Sequence, residues 1–271
     1  MTIAYDTKRK VVVLFGGSGE TGRFLNETWE FNGQNWKRVE TAHAPQARIW
    51  AGMAYDAVRG KVVLYGGRKN DNGEAFNDTW EYDGQDWTLI QTANPGQRGD
   101  GPGMVYDTCR NKIVLFGGAA NGVYYNDTWE YDGTSWKKVA TQNAPSKRAL
   151  TSMVFDSTRC VAVLFGGGNN GTGYNDTWEY DGVNWNKVAA TPAPSARWAH
   201  ALVYDPLKGQ VLLFGGYVPS LGKPVNDTWT YDGKAWLKLT PAQSPSIREQ
   251  HVLVFDGSRV LLYGGYGYRE T

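Results

Sequence analysis

Five arginines stand where chemistry could gather: Arg48, Arg98, Arg148, Arg197 and Arg248, each three residues after a proline (Pro45, Pro95, Pro145, Pro194 and Pro245). Guanidinium groups converging on one axis would bind carboxylates or other anions, because the planar fork takes two oxygens at once. The constant spacing supports a second reading, in which each arginine ties its own repeat to carbonyls or acids next door. Around them lie residues that change from repeat to repeat. Trp50, Asp100, Trp198 and Glu249 follow the arginines closely, and Tyr124, Tyr125, Tyr217 and Lys223 sit in intervening loops. Trp, Tyr and Arg carry most of the binding energy at protein interfaces, so these positions are the candidate partner contacts.

His200 and His251 each lie three residues after an arginine, in matching positions of neighbouring repeats. Two such imidazoles could ligate a metal, but Ala51, Gly101 and Thr151 occupy the corresponding places elsewhere, so no metal is expected. Cys109 and Cys160 fall at different registers of adjacent repeats, and the expectation is two unpaired thiols. No nucleophile elbow, phosphate loop, zinc spacing or paired-carboxylate signature is present, and no cofactor is expected. Glu30, Glu81, Glu130 and Glu179 recur once per unit and are expected as solvated strand positions, not as catalysts. The Asn-x-Thr triplets at Asn26, Asn77, Asn126, Asn175 and Asn226 belong to the repeat and do not argue for glycosylation.

The elements that must hold these residues are set by a dipeptide. Gly-Gly ends an apolar run at Gly16-Gly17, Gly66-Gly67, Gly117-Gly118, Gly166-Gly167, Gly215-Gly216 and Gly264-Gly265, in steps of 50, 51, 49, 49 and 49 residues. A unit of about fifty residues with no helical pattern points to the blade of an all-β propeller. In the second unit, Met53 and Tyr55 share one face of a first strand and Gly52 and Ala54 the other. A second strand from Lys61 to Tyr65 is apolar on both faces, as a strand buried between sheets should be. After a variable loop, Asn77 to Gly84 gives a third strand and an Asp-Gly turn, and Trp87 opens a fourth strand. Large residues of one blade can then pack on small residues of the next.

This order of strand, Gly-Gly, loop, Asn-Asp-Thr-Trp-Glu-Tyr-Asp-Gly, Trp and Pro-x-x-Arg resembles the kelch repeat, in the form common in bacterial kelch proteins. The resemblance covers essentially the whole chain. It implies a propeller whose first strands line a central channel and whose fourth strands lie outermost. It also implies a module that binds other proteins, although some relatives are enzymes, so fold does not decide function.

The units run over about residues 1–44, 45–94, 95–144, 145–193, 194–244 and a half unit at 245–271, taken as one domain. The last unit has only its first two strands, which fits either a six-bladed propeller with an incomplete last blade or a five-bladed one with an extra terminal hairpin. Its second strand, Val260 to Tyr263, would be an open edge, to be covered by the tail from Tyr266 to Thr271, by a second copy or by a partner. Loops after the second and fourth strands share one face, which carries nearly all the variation between units and is the expected binding face. With 28 Lys plus Arg against 27 Asp plus Glu, long-range electrostatics favour neither nucleic acid nor an acidic membrane. No stretch is apolar enough to span a bilayer, and residues 1 to 10 carry no signal-peptide core. The compartment is not indicated. The leading expectation is a non-enzymatic recognition or scaffold module for a protein segment or a small polar or acidic ligand. The alternatives are a carbohydrate-acting enzyme or sugar binder at the channel mouth, and a fragment or engineered propeller without a selected function.

Overall fold

From the second unit on, each Gly-Gly pair turns the chain out of its sheet with backbone angles that side chains resist, and in the first unit the pair sits at a bulge within a strand. Gly66 and Gly67 have φ of 64° and 102°, and a Cβ on Gly66 would lie 2.6 Å from the Arg98 carbonyl oxygen. A computed structural model of the chain describes residues 1–19, 21–69 and 71–266.

Each unit folds as an antiparallel meander. Blade one is Thr2–Asp6, Val11–Ser18, Phe24–Phe31 and Trp36–Val39; blade two is Gly52–Asp56, Lys61–Tyr65, Thr79–Tyr82 and Trp87–Ile90. Blade three is Gly103–Asp107, Lys112–Phe116, Thr128–Tyr131 and Trp136–Val139. Blade four is Ser152–Asp156, Val161–Phe165, Thr177–Tyr180 and Trp185–Val188. Blade five is Ala201–Asp205, Gln210–Phe214, Thr228–Tyr231 and Trp236–Leu239. The hairpin Val252–Phe255 and Val260–Tyr263 follows. The two readings of the strand count meet here: five blades are complete, and an extra terminal hairpin is present. Its strand Val252–Phe255 packs against the first strands of blades five and one, so six first strands surround the axial channel.

The core lies between blades. Val13 and Phe15 of blade one bury against Met53, Tyr55, Val62 and Leu64 of blade two, with Trp87 closing the outer side. The same layer recurs at the next three junctions. Two polar bonds also cross each junction. Trp87 Nε1 donates to Thr28 Oγ1 at 2.8 Å, and the Tyr82 hydroxyl donates to Glu30 at 2.9 Å.

Two sequence-based expectations change. Glu81 and Glu130 are buried, not solvated, because each accepts from the arginine of its own Asp-x-x-Arg turn, Arg59 and Arg110, and from a tyrosine of the next blade. Cys109 and Cys160 are joined in a disulfide, with Cα atoms 5.9 Å apart. The unequal registers that argued against pairing are what bring them together. Neighbouring turns are offset, so the third residue of one faces the fifth of the next, as Lys8 faces Gly60. Cys109 and Cys160 are the third and fifth residues of turns that begin at Asp107 and Asp156.

Candidate binding face and channel mouth

The run into each first strand and the segment after each Gly-Gly pair meet at one end of the blades. Isolated bridges join Ile49 to Arg68, Ala149 to Gly168, Trp198 to Tyr217 and Glu249 to Tyr266. Of the candidate contacts named from the sequence, Trp198, Tyr217 and Glu249 therefore lie in these meeting segments.

Four of the five arginines are not free to receive a ligand. Arg48, Arg98, Arg148 and Arg197 are at most 1% exposed. Arg148 Nη1 and Nη2 donate to the two oxygens of Asp176 at 2.6 and 2.9 Å, and Nη1 also donates to the Gly166 carbonyl at 2.9 Å. Arg48 pairs with Asp78 and Arg197 with Asp227 in the same way, whereas Arg98 donates to both Asp127 oxygens from Nη2 alone. Rings cover three of them: Phe76 over Arg48, Tyr125 over Arg98 and Tyr174 over Arg148. Burial opposes ionisation of Asp176 and Asp227, but the guanidinium partners outweigh it and hold both carboxyls below the usual range. The geometry thus fits the structural reading of these four and corrects the anion ring, because their charge is already matched inside each blade. Arg248 differs. It is half-buried and donates to the Gly264 carbonyl and to Ser246, with no carboxylate partner among the described residues.

An inter-blade belt fixes the channel mouth. Trp50, Leu150, Ala199 and Gln250 hold positive φ of 56°, 51°, 53° and 58°. Their backbone forms a chain from blade to blade: Leu150 N donates to Asp100 O, Ala199 N to Leu150 O and Gln250 N to Ala199 O at 3.3, 2.9 and 2.8 Å. None of these four is a glycine, asparagine or aspartate, the residue types suited to positive φ, so the sequence gives no sign of the belt.

Within this frame a cleft of about 210 Å³ opens between the third and fourth blades, lined by Asp100, Tyr124, Gly168, Asn169, Asn170 and Trp198. Trp198 stacks on Tyr217 at 5.2 Å between centroids and 17° between planes. The six-membered ring of its indole lies against Gly168, where an added Cβ would meet it at 2.7 Å. Asp100 stands 3.1 Å from Arg68 Nε, and burial pushes its carboxyl above the usual range despite that arginine. Arg68 in turn lies over Trp50, 4.9 Å from the ring centroid. The Asn169 Oδ1 is buried without a hydrogen-bond donor. An aromatic platform beside two oxygen acceptors suits a group that is flat and rich in N–H donors.

The remaining candidates are dispersed. Tyr125 belongs to the Arg98 clamp, Lys223 is exposed, and Glu249 is half-buried with its carboxyl raised by burial. His200 and His251 line the channel mouth, a cavity of about 180 Å³. Both are buried, and they stand edge-on to Phe165 and Phe214. Burial and the charge of Arg248 push His251 down to about 4; burial and Arg197 depress His200 as well. No group of three or more ligating side chains gathers around them among the described residues. Sequence reasoning missed Arg68, Asn169 and Asn170, whose only signal was membership of the variable loops.

Comparison with known proteins agrees with this architecture. Residues 1–191 match the KLHDC2/KLHL20/DRC7 Kelch-repeats domain family. The F-box/kelch-repeat protein At1g51550 of Arabidopsis thaliana is 30% identical over 122 residues, 40% of this chain and 25% of that protein. The alignment thus spans about a quarter of that relative's length.

Proposed function

Because the chain belongs to the kelch-repeat family, we propose that it is a recognition module that binds a segment of a partner protein on its variable-loop face. The cleft between the third and fourth blades is the anchor of that face. The observation that carries this reading is the pairing of the Trp198 ring with two acceptors, the half-buried Asp100 carboxylate and the donor-less Asn169 Oδ1. An arginine side chain from the partner would stack on Trp198 and donate to both oxygens, a charge-assisted arrangement stronger than neutral hydrogen bonds. The rigid belt and the buried Arg–Asp pairs hold this cleft in place without a partner, which lowers the ordering cost of binding.

Selection of random peptides displayed on phage against the purified chain tests the proposal. Enriched peptides should carry an arginine or another flat donor-bearing side chain, and should lose binding to a Trp198→Ala chain. Enrichment that survives Trp198→Ala and Asp100→Asn unchanged, or no enrichment at all, would reject the cleft as the anchor.

A further inference from the structure

The strand Val260–Tyr263 has a hydrogen-bonded neighbour on one side only among the described residues. In blades two, three and four the corresponding strand pairs with a third strand, and that strand with the residue before it supplies two carboxylates three residues apart. Asp78 and Glu81 serve Arg48 and Arg59, Asp127 and Glu130 serve Arg98 and Arg110, and Asp176 and Glu179 serve Arg148 and Arg159. At the open seam both arginines are present and, among the described residues, neither acid has a counterpart. Arg248 has only Ser246 and the Gly264 carbonyl. Arg259 has a long 3.4 Å contact to Asp256 and a bond to the Gly33 carbonyl of blade one. Beside them Tyr263 is 42% exposed, and its ring centroid lies 4.9 Å from that of Trp36 with the planes tilted by 43°.

We propose that this seam is a strand-addition site for an acidic extended segment of a partner protein, with an Asp-x-x-Glu spacing that matches Arg248 and Arg259. Main-chain pairing with Val260–Tyr263 supplies affinity, and the two carboxylates fix register and direction. By the register of blade two, where Thr79 faces Tyr65 and Glu81 faces Val63, the residue after the aspartate lies opposite Tyr263 and the glutamate opposite Leu261.

The tail after Tyr266, expected from the sequence as one covering of this edge, lies outside the described residues, and two other occupants fit less well. A second copy pairing edge to edge would set Val-Leu-Leu-Tyr against itself and bring no acid to either arginine. A sixth copy of the repeat would expect the lock seen at the four complete junctions, where a tyrosine hydroxyl donates to a glutamate of the preceding blade. Both ends of that lock are absent at the seam. Blade one has Phe31 in the tyrosine position, and blade five has Thr230 in the glutamate position.

The test uses the whole chain and a fluorescein-labelled synthetic peptide, Gly-Asn-Asp-Thr-Trp-Glu-Val-Ser, beside a control with Asn and Gln in place of its Asp and Glu. Fluorescence anisotropy should show the acidic peptide binding at least about tenfold more tightly than the control, the scale of two charged hydrogen-bond partners. Arg248→Ala should reduce the difference and Arg248→Ala with Arg259→Ala should abolish it, and hydrogen exchange should slow at Val260–Tyr263 on binding. Equal affinity of the two peptides, no binding, or protection confined to the loop face would overturn the proposal. So would a concentration-dependent dimer in sedimentation that is lost on Tyr263→Lys. The peptide control keeps the test decisive even if Arg248→Ala fails to fold. Because this site lies away from the cleft at Trp198, the two can fail separately.

Discussion

The Trp185 indole donates a hydrogen bond to Thr128 Oγ1 at 2.8 Å, reaching from the fourth strand of blade four to the third strand of blade three. The same bond joins Trp87 to Thr28, Trp136 to Thr79 and Trp236 to Thr177. Blades two to five are thus each fastened to the preceding blade by a buried donor that has no water to fall back on. Thr128→Val should leave the Trp185 N–H unpaired at a cost of about 1–3 kcal/mol, read as a lower midpoint in urea unfolding. A midpoint equal to the parent's would show the bond to be dispensable.

Arg148→Ala should cost more, about 3–5 kcal/mol, because it strands the Asp176 carboxylate beside a fully buried position. On a chain of this size that lowers the melting temperature by about 6 °C or more. Arg248→Ala, with no acid left behind among the described residues, should be nearly silent in the same scan. Similar losses at the two positions would mean that Arg248 is held as tightly as the others.

The period of Gly-Gly made the blades legible, because every one of these pairs follows the buried run of a second strand with positive φ. The Trp pair and the Asp-Gly turn did the same for the outer strands. The arginines could not be placed so easily. Constant spacing shows that Arg148 repeats, but not that Asp176, twenty-eight residues on, lies within its reach. The disulfide was hidden for a related reason, since it follows the offset between neighbouring turns rather than the repeat itself. The cleft was half legible: Asp100, Tyr124 and Trp198 stood out as departures from the pattern, whereas Asn169 becomes notable only once its oxygen is seen buried without a donor.

The disulfide carries its own expectation. Cys160→Ser should destabilise the chain by about 2–4 kcal/mol, and reduction should bring the parent to the same stability. Free-thiol titration of the unfolded chain gives the count directly: the bonded protein should release two thiols only after reductant. Two thiols without reductant would contradict the bridge.

The two channel histidines set a pH response. Both are depressed in the fold, His251 to about 4, while an unfolded histidine titrates near 6.5. Between these values the unfolded chain binds protons that the folded chain refuses, so stability is retained above pH 6.5 and falls as pH drops toward 4. His251 alone should account for about 3 kcal/mol at pH 4. His251→Thr, the residue type that blade four carries at this position as Thr151, should flatten melting temperature against pH over that range. A slope unchanged in the variant would assign the loss to other groups.

The most direct test of the account is the affinity of a selected loop-face peptide for the parent and for Gly168→Ala. Gly168 has ordinary backbone angles, and its added methyl would reach no further than the Trp198 indole, the Thr172 carbonyl and their neighbours. It should displace the platform while leaving the Arg–Asp pairs intact. The account predicts binding at least about tenfold weaker, the loss expected when a stacked aromatic anchor is moved, with only a small change in melting temperature. Unaltered affinity in a folded variant whose tryptophan fluorescence reports a moved indole would contradict it.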